Sequence, residues 1–192
     1  MAKIAMILGE MFEDAEFREP YDALRRAGHE VVIIGPEAKQ HVTGKREKER
    51  VATEESVRDV RPDEFDALVI PGGYSPDHLR TDPHMVEFVR EIVHSGTPVA
   101  AICHAPWMLA EADVIDGRTV TSWPSIKTDL VNAGANWVDR EVFEDGNLIT
   151  SRKPADLPAF IEAILLHLEG NIPARSEAWK SPSRPSPSPP AI

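Results

Sequence analysis

Cys103 is the only cysteine in the 192-residue chain, and His104 follows it directly. A thiol beside an imidazole pairs a nucleophile with a base, the arrangement that acyl- and carbonyl-transfer chemistry needs. The flanking residues sharpen this reading. Val99 to Ile102 is a short apolar run, read as a buried strand, and Pro106 to Ala112 is compatible with a helix. The cysteine stands at the junction, with Ala101 two residues before it and Ala105 two residues after. Small residues at those positions are the steric signature of a nucleophile elbow, where a strand turns abruptly into a helix and the side chain at the apex is turned outward. A helix N-terminus close to the sulfur is expected to favour the thiolate. A lone cysteine is otherwise most often a small buried hydrophobe. The elbow and the adjacent histidine turn the reading toward a nucleophile.

Two further loops carry matching chemistry. Pro71-Gly72-Gly73 follows an apolar strand, and glycines there let backbone N–H groups come close to a ligand. Beside an elbow, the amides of Gly73 and His104 are what an oxyanion hole requires. The loop Phe12-Glu13-Asp14-Ala15-Glu16-Phe17 is acidic. Glu13 and Asp14 suit the start of a helix. Glu16 lies further in and could point across the strand ends to the thiol, where a carboxyl would have a raised pKa and share a proton with sulfur. His104 needs an orienting partner, and Asp77 is the acid the neighbouring loop offers. The other six histidines show no ligand spacing and there is no cysteine pair. No metal site and no cofactor are therefore expected.

The elements that would position these residues alternate between strand and helix. Lys3 to Leu8, Glu30 to Ile34, Asp66 to Ile70, Val99 to Ile102 and Thr119 to Trp123 read as strands. Ala15 to Ala27, Pro83 to His94, Ser125 to Ala133 and Pro154 to Glu169 read as helices, several closed by glycine. Glu141 to Ser151 reads as a hairpin turning at Glu144-Asp-Gly-Asn147. Such alternation implies a doubly wound, mainly parallel sheet, with function in the loops at the strand C-terminal ends. Lys39 to Arg50 is polar and basic, read as a solvated loop or short hairpin.

Composition sets outer bounds. A chain of this length holds one α/β domain, assigned to residues 1–170, followed by a Ser/Pro-rich tail over residues 171–192 that is expected to be extended or disordered. The net charge of −11 argues against nucleic acid or an anionic membrane as partner. One cysteine excludes an internal disulfide and fits a reducing, cytoplasmic setting. No apolar run approaches the length of a membrane span.

Together these stretches resemble the PfpI-type intracellular cysteine peptidases and deglycases, within the class I glutamine amidotransferase-like superfamily. The resemblance rests on Phe12-Glu-Asp-Ala-Glu16, Leu68-Val-Ile-Pro-Gly-Gly73, Ser75-Pro-Asp77-His-Leu-Arg80, Ala101-Ile-Cys-His-Ala-Pro106, Thr121-Ser-Trp-Pro124, Asn132-Ala-Gly134 with Trp137-Val-Asp139, and Ser151-Arg-Lys-Pro-Ala-Asp156. It implies a flavodoxin-like three-layer sandwich with Cys103 as nucleophile, His104 as its partner and Glu16 touching the sulfur. Gly73 and the His104 amide would form the oxyanion hole. Position 77 would supply the third triad member to a neighbouring subunit of a homo-oligomer. It is Asp here where the archetype has Glu, one methylene shorter. The implied function is a stress-related cysteine hydrolase. Its substrates would be peptides, small carbonyl compounds, or amines and thiols glycated by methylglyoxal or glyoxal. The runner-up is a chaperone in which Cys103 senses oxidants.

Overall fold

The computed structural model describes residues 1–170. In chain order the elements are β1 (Lys3–Ile7), α1 (Asp14–Arg26), β2 (Glu30–Gly35), β3 (His41–Thr43), β4 (Arg50–Ala52), β5 (Glu55–Ser56), β6 (Ala67–Ile70), α2 (Ser75–Leu79) and α3 (Pro83–His94). They continue with β7 (Val99–Ile102), α4 (Pro106–Glu111), β8 (Thr119–Val120), α5 (Lys127–Asn132), β9 (Asn136–Trp137), β10 (Val142–Asp145), β11 (Leu148–Ser151) and α6 (Leu157–Leu168).

Seven strands form one sheet in the order β10-β11-β7-β6-β1-β2-β5. Every pairing in it is parallel except that of β10 with β11. Its central strands are apolar along their whole length, as strands covered on both faces must be. The period-2 alternation divides their side chains between two cores. Ile4, Met6 and Leu8 pack with Phe17, Leu24, Leu157, Phe160 and Ile164 from α1 and α6. Ala5, Ile7, Leu68 and Ile70 pack with Met85, Val89, Ile92, Met108 and Leu109 from α3 and α4. The result is the three-layer, mainly parallel sandwich expected from the strand–helix alternation.

The chain leaves β1 toward β2 on one side and later fills β6, β7 and β11 on the other. This reversal makes the C-terminal ends of β1 and β6 a topological switch point, the usual ligand position in open α/β sheets. The loops after β1, β6 and β7 all end there.

Some elements differ from expectation. The strand read over Thr119 to Trp123 stops at Val120, because the next residues satisfy themselves off the ladder: Thr121 donates its N–H to the Thr150 hydroxyl, and Trp123 donates its N–H to the Cys103 carbonyl. The helix read from Ser125 begins as a 3₁₀ turn at Pro124–Ile126, and regular α-helix starts at Lys127. The 39–50 segment forms the β3–β4 hairpin, and it is docked rather than simply solvated (below). The tail and its Trp179 lie outside the described residues.

Candidate active site

Cys103 has φ +65°, an uncommon conformation for a residue with a side chain. The backbone around it is pinned on both sides. The Cys103 N–H donates to the Ser151 carbonyl at 3.0 Å, and its own carbonyl accepts from the Trp123 N–H at 2.9 Å. Ala101 and Ala105 are fully buried beside the turn. This is the elbow read from the small-residue spacing.

Glu16 enters from the first turn of α1 and is fully buried. One carboxyl oxygen, Oε2, accepts the Gly72 N–H at 2.9 Å. The other, Oε1, is buried with no conventional hydrogen-bond partner. The carboxyl lies against the Cys103 thiol and interacts with it. Burial pushes the Glu16 pKa up to about 8, helped by the charge of Glu13, while the Gly72 amide and the thiol pull the other way. Burial also pushes the thiol up, and a Glu16 carboxylate pushes it further. The N–H groups of Gly73 and His104 face the sulfur and favour its charged form. Two negative charges in so small a dry space repel strongly, so thiolate forms at low cost only while Glu16 holds the proton.

The helix that follows the elbow does not start at the sulfur itself. Helix α4 begins at Pro106, three residues beyond the cysteine, and is only six residues long. The local donors are instead the two loop amides.

The space is defined by glycine. A Cβ on Gly72 would lie 2.6 Å from Glu16 Oε2 and 2.7 Å from Cys103 Cβ. Gly73 has φ +78°, and a Cβ there would meet the Glu13 nitrogen at 2.4 Å. Only glycine at both positions lets the turn approach sulfur and carboxyl together.

The His104 ring bridges two groups. Nδ1 lies 3.3 Å from Cys103 Sγ, and Nε2 lies 3.2 Å from the Ser125 hydroxyl. Because that hydroxyl can donate or accept, it supports either neutral tautomer. Burial lowers the His104 pKa, and so does the nearby Lys45 cation, against an opposing effect of Asp77. The imidazole is therefore neutral at pH 7 and available as a base. Its ring packs against Trp107 at 5.3 Å between centroids and stacks on Trp123 at 6.5 Å.

Thus Glu16, Gly73, Cys103 and His104 come together as expected. Asp77 does not join them within one chain. It is exposed on α2 and acts on His104 only through space, while the hydrogen-bond partners of the imidazole are Cys103 and Ser125. Two residues at the site had no sequence signal. Ser125 sits just beyond the Trp123-Pro124 step, where a helix start hides it. Lys45 belongs to a segment whose charge pattern reads as solvent-facing.

The hairpin that carries Lys45 is anchored by the acidic loop. The Asp14 carboxylate accepts the N–H groups of Arg46, Lys48 and Glu49, each at 2.9 Å. Burial opposes its ionisation, yet these donors together hold its pKa below the usual value. Glu13, also buried, pairs with Lys45 Nζ at 2.6 Å and Arg46 Nε at 3.2 Å. Neither acid caps α1 through its side chain, as their position had suggested: the Glu13 side chain makes no cap bond, and Asp14 reaches the hairpin.

Among the described residues no cluster of three or more His, Cys, Asp and Glu side chains is arranged to hold a metal ion.

Residues 2–167 match the model of the DJ-1/PfpI family. The chain is 50% identical over 159 residues to Protein/nucleic acid deglycase 2 of Escherichia coli, covering 82% of this chain and 92% of the relative. It is 46% identical over 158 residues to a Bacillus subtilis protein named "Putative cysteine protease YraA", covering 82% and 93%. The crystal structure of Drosophila melanogaster DJ-1beta superimposes with a TM-score of 0.81 at 35% identity, covering 88% of this chain and 90% of that one. The match over residues 2–167, with relatives 50% and 46% identical over most of their length, places the chain in the DJ-1/PfpI family.

Proposed function

We propose that the protein is a cysteine-dependent hydrolase that removes methylglyoxal- or glyoxal-derived groups from amines and thiols. The observation that carries this reading is the Cys103 thiol on its elbow, with the His104 imidazole at 3.3 Å and two loop amides facing the sulfur. The name of the Escherichia coli relative supports the choice of glycated substrates. That name includes nucleic acid, but a net charge of −11 opposes binding of a polyanion. Glycated protein side chains and small adducts are therefore the proposed substrates.

The chemistry follows from the donors. The sulfur lone pair attacks the adduct's carbinol carbon, and an S–C bond forms as the bond to the amine nitrogen or thiol sulfur breaks with its electron pair on the departing group. His104 accepts the thiol proton, directly or from the Glu16 pair, and returns it to that departing amine or thiol. The carbinol hydrogen then passes as a proton, by way of His104, to the neighbouring carbonyl carbon, which turns the hemithioacetal into a thioester. Water adds to the thioester carbonyl, the Gly73 and His104 amides stabilise the oxyanion, and its collapse breaks the S–C bond to release a 2-hydroxy acid and the thiol.

We further propose that the active form is a homo-oligomer in which Asp77 orients His104 of an adjacent subunit, since Asp77 is exposed and unbonded to its own imidazole. A single cysteine fits a cytoplasmic setting.

A substrate panel tests the reaction class. Methylglyoxal adducts of N-acetylated Arg, Lys and Cys are compared with a fluorogenic peptide, using wild type and Cys103→Ala. Adduct turnover that exceeds peptide cleavage and disappears in the variant is expected. Peptide cleavage with untouched adducts would contradict the proposal.

A further inference from the structure

The β3–β4 hairpin is a short excursion between β2 and β5, and hydrogen bonds and ion pairs hold its loop against the loop after β1. Asp14 gathers three of its amides, and the Lys45 N–H donates to the Phe12 carbonyl at 2.8 Å. A Cβ on Gly44 would lie 2.2 Å from Asp14 Oδ1, so the loop fits only because that position is glycine. This seating brings the Lys45 ammonium onto the buried Glu13 carboxylate at 2.6 Å. Glu13 in turn donates its N–H to the Gly72 carbonyl, in the turn that binds Glu16 and faces the sulfur.

We propose that Lys45 is a positioning residue whose cation lets the buried pair of Glu16 and Cys103 carry a negative charge at neutral pH. The proposal rests on Cys103 being the reactive group. A cation held beside two buried acids lowers the cost of ionising either of them, and it keeps His104 from taking up a proton. Lys45 acts electrostatically on Cys103, Glu16 and His104. The charges that face this group are Glu13 and Glu16 from the loop and first turn of α1, Arg46 from the hairpin, and Cys103 and His104 from the elbow. Asp77 acts on His104 from α2. Arg46 is the more exposed partner of Glu13, so Lys45 is the cation turned inward.

With a single cysteine, alkylation by iodoacetamide read by intact mass reports Cys103 alone. The pH profile of its rate is measured for wild type, Lys45→Met, Lys45→Arg and Glu13→Gln, with circular dichroism and thermal midpoints as controls. Lys45→Met is expected to react about tenfold more slowly at pH 7, with the profile displaced upward by about one unit. Lys45→Arg should restore most of the rate. Glu13→Gln removes an anion that faces Glu16, so its profile should stay at or below that of wild type. An unchanged profile in folded Lys45→Met, or an upward displacement in Glu13→Gln, would overturn the proposal. The Glu13→Gln result decides even if Lys45→Met does not fold. Alkylation reads the thiol and not turnover, so this outcome is independent of the hydrolase reading.

Discussion

At the scale of residues, the site turns on one buried carboxyl. Glu16 is fully buried with its ordinary pKa of 4.5 pushed up to about 8, so the folded protein holds a proton that the unfolded chain releases. Between those two values the native state binds more protons than the denatured one. Stability is then full below about pH 4.5 and declines as pH rises toward 8, at up to about 1.4 kcal/mol per unit. Glu16→Gln keeps the shape and removes the titration. Thermal midpoints at pH 5 and pH 8.5 should fall more for wild type than for the variant, and parallel falls would contradict the assignment. The pairing of Glu16 with the thiol was legible in the sequence because Glu16 follows the apolar strand at the distance of one loop and half a turn. The direction of the thiol's own shift was not legible. It depends on dry packing and on the charge of the buried Glu16, whose balance residue spacing does not reveal.

At the scale of elements, a glycine turn and a hairpin build the site between them. Gly72 admits no side chain, because its Cβ would press on both Glu16 and Cys103. Gly72→Ala is expected to destabilise the fold by about 1–3 kcal/mol, the usual cost of overpacking, and to abolish turnover. Chemical denaturation with an activity assay checks this, and an active, fully stable variant would contradict it. The strands, the long helices and the elbow could be read from periodicity, since each is a local pattern of apolar and small residues. The hairpin's role could not. Its partners Glu13 and Asp14 lie about thirty residues away, and only the crossover from β2 to β5 returns it to the loop after β1. Ser125 escaped notice for the same reason: its contact with His104 joins the elbow after β7 to the 3₁₀ turn before α5.

At the scale of the whole molecule, sheet topology gathers the loops after β1, β6 and β7 at one end of the sheet. No helix among the described residues is long and apolar enough to cross a membrane. The segment after Gly170 is rich in Ser and Pro and has few large apolar residues, so truncation there should leave the thermal midpoint nearly unchanged. A large loss would mean that the tail docks. If Asp77 serves a neighbouring subunit, specific activity should fall on dilution below the dissociation constant of the assembly. Asp77→Ala should then lower kcat more than it raises KM. A monomer by light scattering that keeps full specific activity would refute the shared site. The central claim, that the Cys103 thiolate performs the reaction, meets its most direct test in the turnover of a preformed methylglyoxal–N-acetylarginine adduct by Cys103→Ser. The account predicts that this variant keeps the wild-type melting profile while turnover falls to the uncatalysed background. Turnover near the wild-type rate would contradict it.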